Sequence, residues 1–187
     1  MAVDSTGGPD ETLSTADRLG WNVNVFWLDE SPELAARYHC DQHVNKMLLE
    51  AAQVLCTAAR QNGYERDFLY QATHTDHPVT SWATESRANW LELRDHASAL
   101  NAEFKARYDH DDDHKSWTVI DRIDPDAIDF PGSAPTPKPQ AMPAEYRDPD
   151  DPVAAYRAYY AGEKAEWAEW DHTDEPPWLD RYRTADD

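Results

Sequence analysis

The chain has 187 residues carrying 37 Asp and Glu against 17 Lys and Arg, a formal net charge of -20. Aromatic residues make up 11%, 8 of them Trp, which excludes the aromatic-poor composition of a disordered acidic chain and predicts one folded domain. No run of about 18 apolar residues is present, which excludes a membrane-spanning helix.

The charge has a particular make-up. Lysine occurs only at Lys46, Lys105, Lys115, Lys138 and Lys164, so the basic residues are mostly Arg. Acidic, lysine-poor surfaces of this kind resemble those of proteins from extreme halophiles, where carboxylates hold water. A charge this negative counts against a nucleic-acid partner, because neutralising phosphates needs a basic surface. Molar salt screens that penalty to within about 3 Å. Nucleic acid is therefore demoted as a partner without being excluded.

Residues 1–20 are polar and acidic, unlike a signal peptide, and read as a flexible leader. Trp21 to Leu28, "WNVNVFWL", alternates β-branched or aromatic residues with Asn and predicts a short strand. Ser31 is a good N-cap and Pro32 suits the first helical position. The helix they open is expected to run to about Arg60 and to stop near Gly63. On such a helix Cys40 and Cys56 lie on the order of 24 Å apart, too far for a disulfide. Two thiols without a bridge suit a reducing cytoplasm.

"HTDHP", His74 to Pro78, is a loop. A second long helix is expected from about Thr80 to Tyr108, with Trp90, Leu93, Ala97, Leu100 and Phe104 at helical spacing. Asp109 to His114, "DHDDDH", reads as a solvated loop. "SWTVI", Ser116 to Ile120, predicts a second short strand able to pair with the first. Residues 131–152 are dense in proline and are expected to be extended and to wrap the surface rather than form core. Asp151-Pro152 opens a last helix, from Val153 to about Trp170, that carries Tyr156, Tyr160 and Trp167, and "EPPW" stops it; residues 180–187 read as a flexible tail. The sum is a mainly α, single helical domain over residues 21–179, with two long core helices, a C-terminal helix and at most a short two-stranded ribbon.

The candidate site lies on the first long helix. At ~100° per residue its apolar side chains cover well over half the circumference. The remaining sector holds His39, His43, Lys46, Glu50, Gln53 and Thr57. As a solvent face, it would make Lys46 and Glu50 an ordinary i,i+4 pair worth about 0.3–0.5 kcal/mol. The surface elsewhere is built of Asp, Glu and Arg, however, whereas this row has two His and one of the few lysines. That composition favours the wall of a pocket. A metal is a third reading, since two imidazoles at i,i+4, His39 and His43, reach one ion. No third ligand has diagnostic spacing, and Glu85, Glu92 or Glu103 of the second helix would have to complete it. No metal is expected, and no motif identifies a cofactor.

A catalytic reading uses His43, Lys46 and Glu50. Desolvation beside an apolar helix face would prepare Lys46 as a nucleophile or base. Glu50 would orient it or act as general acid or base, and His43 would shuttle protons. His39, Gln53, His77, Trp82, Ser86, Asn89 and His96 are the candidate substrate-binding residues. Trp82 and Trp90 carry flat faces suited to a base or sugar, although core packing is the plainer role for Trp90.

"DQHVNKMLLEAAQVLCTA", "HPVTSWATESRANW", "PQAMPAEY" and "AYRAYYAGEKAEW" together resemble a family of small, mostly uncharacterised proteins of tailed viruses. The resemblance spans roughly Asn22 to Trp178. It implies a viral or virus-derived protein of the host cytoplasm, and with the acidity it fits a halophilic archaeal virus. A fainter similarity is to the small pyrimidine-dimer DNA glycosylases, carried by the "ELA" helix start followed by His39 and by the "HP" turn before the second helix. Members of that group from viruses use an N-terminal amine as nucleophile. About twenty residues precede the matching segment here, so the resemblance would hand that role to Lys46. The leading expectation is a small viral-type enzyme acting on a nucleotide or nucleic-acid base. Alternatives are a glycosylase/lyase-like repair protein, a helical metal-binding protein, and a non-enzymatic accessory protein docking through its aromatic C-terminal helix and proline-rich segment.

Overall fold

The computed structural model describes residues 24–183. The leader and Trp21 to Val23 lie outside them. The fold is all-α, and no strand occurs among the described residues. Its helices are α1 (Pro32–Tyr38), α2 (Asp41–Gln61), α3 (Pro78–Glu85), α4 (Arg87–Tyr108), α5 (Lys115–Ile120), α6 (Pro152–Glu163) and α7 (Asp180–Arg183), with single 3-10 turns at Pro125–Ala127 and Ala144–Tyr146. α2 is the central element, packed by α3, α4 and α5, while α1 lies on α4. None of these helices is long and apolar enough to cross a membrane.

Asn24 to Leu28 has the alternation of a strand but pairs with none. All five residues are buried, and the segment threads between helices. Phe26 is its hub, with its ring within 6.2 Å of the rings of His39, His43, Tyr156, Tyr159 and Tyr160. The apolar side chains expected to line one face of a sheet instead meet side chains from helices on several sides.

Each expected long helix is two. Ser31 caps α1 through the Leu34 N–H, with Pro32 in its first turn, as the sequence predicts. The chain then turns extended at His39 and Cys40 before α2 begins. Neither Pro nor Gly breaks it there. The cause is Arg107 of α4, buried against the junction. It donates to the carbonyls of Arg37 and His39, both at 2.8 Å, and pairs with Asp41 at 3.1 Å. Those bonds satisfy carbonyls that the end of a helix leaves open. Cys40 is therefore an N-cap residue rather than mid-helix; both thiols are free and buried.

The second break is at Ser86, which is extended and caps α4 by accepting from the Asn89 N–H at 3.2 Å. Its backbone forms an isolated parallel bridge to Gly132, and the Arg87 N–H donates to the Gly132 carbonyl at 2.9 Å. A Cβ on Gly132 would lie 2.9 Å from the Glu85 carbonyl oxygen, so this close approach needs a glycine.

"SWTVI" is helical, not a strand. The His114 imidazole caps α5 by accepting from the Ser116 N–H at 3.0 Å, and Ser116 and Ile120 are buried. The proline-rich segment is a strap that does contribute to the core, contrary to expectation, because Ala141 and Met142 are fully buried within it. α6 starts as predicted, capped by Asp151 on the Ala154 N–H at 2.9 Å. It ends at Glu163, earlier than the expected Trp170. There the N–H groups of Lys164 and Ala165 share the Tyr160 carbonyl and the chain turns away. Residues 180–183, read from sequence as tail, form α7.

Candidate functional site

The row on α2 is not a solvent face. His43 is 3% exposed, Glu50 6% and Thr57 fully buried, while Gln53 is half-buried. Lys46 alone stands out, with 62% of its side chain exposed. His39 belongs to the α1–α2 junction rather than to α2. The cover over the row is supplied by the 24–28 segment and by the C-terminal end of α6.

His43 is held from three sides. The Tyr160 hydroxyl lies 2.7 Å from its Nδ1 and accepts from the Cys40 N–H at 3.0 Å. With that donor already on the phenol oxygen, the arrangement that satisfies every group has Tyr160 donating to Nδ1 and the imidazole proton on Nε2. Phe26 stacks on the imidazole at 5.2 Å and Trp167 meets it edge-on at 5.1 Å. Burial, with the charges of Lys46 and Lys164, holds its pKa down at about 3. His43 is therefore neutral around pH 7, and the proton-shuttling role expected from its intrinsic pKa is not available to it.

Glu50 shows the opposite shift. Burial raises its pKa, against the Asn24 N–H, Lys46 and Lys164, which favour the carboxylate. Its Oε2 accepts from the Asn24 N–H at 2.9 Å, and its Oε1 lies 3.7 Å from the Lys46 ammonium. One oxygen is thus fixed by the backbone and the other faces the lysine. Lys46 itself stands in solvent, so the desolvation expected to prepare it as a nucleophile is missing.

The remaining candidates divide between the core and the strap. Asn89 donates to the Trp82 carbonyl at 2.8 Å and to Thr136 Oγ1 at 2.7 Å, and accepts from the Thr136 N–H at 2.9 Å. The Trp82 indole donates to the Thr136 carbonyl at 3.1 Å, and its buried ring packs at 5.3 Å against Trp27. Ser86 is the α4 cap. These three anchor the strap. Trp90 donates to the Leu55 carbonyl at 3.1 Å from a fully buried position and is core. Neither Trp82 nor Trp90 offers a face to a ligand. His77 caps α3 through Nδ1, and burial lowers its pKa to about 4. Its Nε2 has no partner, and neither does the Thr80 hydroxyl one turn on.

His39 and His96 meet inside the molecule, with ring centroids 5.6 Å apart. His39 donates from Nδ1 to the Ala35 carbonyl at 2.7 Å, which leaves its Nε2 an acceptor without a partner. Neither nitrogen of His96 has one. Burial depresses both pKa values, that of His96 to about 4.

No group of three or more His, Cys, Asp or Glu side chains among the described residues is arranged to hold a metal ion. The carboxylates that were to complete a site with His39 and His43 face elsewhere: Glu85 accepts from Thr136 at 3.0 Å, Glu92 pairs with Lys138 at 2.6 Å and Glu103 with Arg107 at 2.9 Å.

The structure thus gathers His43, Lys46 and Glu50, and it sets His39 and His96 together in the interior. It does not bring Trp82, Ser86 or Asn89 to the row as ligand contacts. Sequence reasoning missed Asn24, Phe26, Tyr160 and Lys164 as neighbours of the row. Lys164 carried a usable signal, the same scarcity of lysine that marks Lys46. No protein-family model, curated protein or solved structure matches the chain.

Proposed function

We propose that the chain is a small, virus-type enzyme acting on a nucleotide or a nucleic-acid base, with Glu50 as its general acid–base group. The observation that carries this reading is the Glu50 carboxyl itself: nearly buried, shifted toward its protonated form, with one oxygen fixed on a backbone N–H. Such a group holds a proton closer to neutrality than an exposed Glu and can return it after transfer. The proton leaves Oε1 for a ring nitrogen or oxygen of the substrate. The resulting carboxylate is stabilised by the Asn24 N–H and the Lys46 ammonium. His43, neutral and fixed by Tyr160, positions rather than titrates. In a glycosylase/lyase version of the same site, Lys46 supplies the amine and its exposure leaves it accessible to the substrate.

The test is Glu50→Gln. Glutamine keeps an oxygen for the Asn24 N–H and loses the proton. Incubation with a panel of nucleotides and with DNA, read by mass spectrometry of the products, is expected to show turnover by the parent chain and a loss of at least about 100-fold in the variant. Equal turnover by both would sink the reading. A second reading has its own observation, the bond from Asn24 to Glu50, which ties the 24–28 segment to α2. If the carboxylate is only that clamp, Glu50→Gln is silent in every assay and Glu50→Leu lowers the melting temperature.

A further inference from the structure

The Glu50 site leaves a separate cavity unused. It lies where the chain leaves the 24–28 segment and meets the first turn of α6 and the start of α7, and it holds about 360 Å³. Its charged lining is Asp29, Glu30, Asp151, Arg157 and Arg181, and its apolar lining is Val153, Ala154, Trp178 and Tyr182. Arg157 joins the parts. Its Nε donates to the Leu28 carbonyl and its Nη2 to Asp29 Oδ2, both at 2.7 Å, and its guanidinium lies 5.5 Å from the centre of the Trp178 ring. Tyr182 meets that indole edge-on at 6.1 Å and donates to the Ala154 carbonyl at 3.5 Å.

Hydrogen-bonding capacity remains in this lining. Arg157 Nη1 has no hydrogen-bond partner among the described residues. Asp151 uses Oδ1 to cap α6 on the Ala154 N–H at 2.9 Å, and Oδ2 is left. Glu30 faces Lys138 at 3.5 Å through Oε2 and keeps Oε1.

Both signs of charge therefore line one small cavity, and this sorts the ligands it takes. A phosphate or other simple anion meets three carboxylates, and a polyamine meets two guanidiniums. An uncharged ligand strips water from charged groups and returns no ion pair. A zwitterion is attracted by both sets, its carboxylate by Arg157 and its ammonium by Asp151 and Glu30. The volume sits at the lower end of the range for small-molecule sites, about 300–1,000 Å³, and suits a single amino acid better than a nucleic-acid strand. Trp178, Tyr182 and Val153 add an apolar, largely aromatic wall for a side chain.

We infer that this cavity binds a free α-amino acid with an apolar side chain, its carboxylate on Arg157 and its ammonium on Asp151 and Glu30. The site lies at the opposite end of the 24–28 segment from Asn24 and Glu50. The inference thus goes beyond the acid–base reading and does not depend on it.

Calorimetric titration of the full chain with L-phenylalanine tests it, beside three probes that each lack one feature. These are L-phenylalaninamide without the carboxylate, N-acetyl-L-phenylalanine without the ammonium, and glycine without the side chain. L-Phenylalanine is expected to bind saturably at one site per chain, and each truncated probe at least about tenfold more weakly. Asp151→Asn removes a charge and keeps the helix cap, since Asn caps as well as Asp, and should weaken binding several-fold. Glu30→Gln gives the same readout if Asp151→Asn unfolds the chain, and Ala154→Leu fills the cavity and should abolish binding. The melting temperature reports the folding of each variant. Absence of saturable binding by L-phenylalanine overturns the inference. So does a truncated probe that binds as tightly as L-phenylalanine, and so do folded variants that bind like the parent chain.

Discussion

At the scale of single residues, the buried histidines make stability depend on pH in a definite direction. Burial depresses His39, His43 and His96 below the ordinary value of 6.5, His43 to about 3 and His96 to about 4. Once unfolded, all three take up protons near pH 6.5 while the folded chain does not. Below that pH the unfolded state binds more protons, so stability is complete above it and falls as pH drops toward 4. Glu50 and Asp95 act in the opposite sense, because their raised values favour the folded state in acid, but His77 and His114 are depressed as well and the imidazoles outnumber the two carboxyls. Urea denaturation between pH 7.5 and about pH 4.5 is expected to show a steadily falling midpoint with an unchanged slope. A flat profile would mean that these imidazoles are not desolvated in solution. The same residues show what the sequence could and could not say about the site. The polar row was legible because an apolar helix isolates it. Its burial was not, because the cover comes from Phe26 and Tyr160, distant in sequence from α2. Helical spacing says which side chains share a face, and nothing about what a distant segment lays over it.

At the scale of elements, the helical content and the N-caps at Ser31 and Asp151, each followed by a proline, were legible from local chemistry, whereas those at Cys40, His77, Ser86 and His114 were not. The breaks were not. A helix is expected to continue through "RYHCDQH" on propensity alone, and it stops there because Arg107, more than sixty residues away, takes its carbonyls. The 24–28 and 116–120 segments failed in a related way. β-Branched and aromatic residues favour any half-buried or buried setting, and here helices supply it. The junction yields a test. Arg107 is almost fully buried between Asp41, Glu103 and two backbone carbonyls. Arg107→Leu leaves Asp41 with only His172 as partner, at 2.9 Å, and strips two carbonyls of their donors. Breaking a buried pair from one side costs about 3–5 kcal/mol. A comparable drop in unfolding free energy is expected, with hydrogen exchange accelerated at α1 and the start of α2. A loss under about 1 kcal/mol, the range of an exposed pair, would show that the junction is set by something else.

At the scale of the whole molecule, the net charge of -20 sets how stability depends on salt. Salt screens the attraction within ion pairs and the repulsion among unpaired carboxylates alike. Which effect wins follows from the count. With 37 acidic residues and 17 Lys and Arg, most carboxylates have no cation to lose. Pairs such as Arg87–Asp126 are largely exposed and contribute little, while Arg107–Asp41 is insulated from solvent. Repulsion therefore dominates, and raising KCl from about 0.1 M to about 1 M, which shortens the screening length from about 10 Å to about 3 Å, should raise the melting temperature. The bulk of the rise should come at the lower end of that range, where the screening length changes most. A melting temperature that stays level or falls would show that the carboxylates are neutralised locally, by ion pairing that the count of charges does not capture.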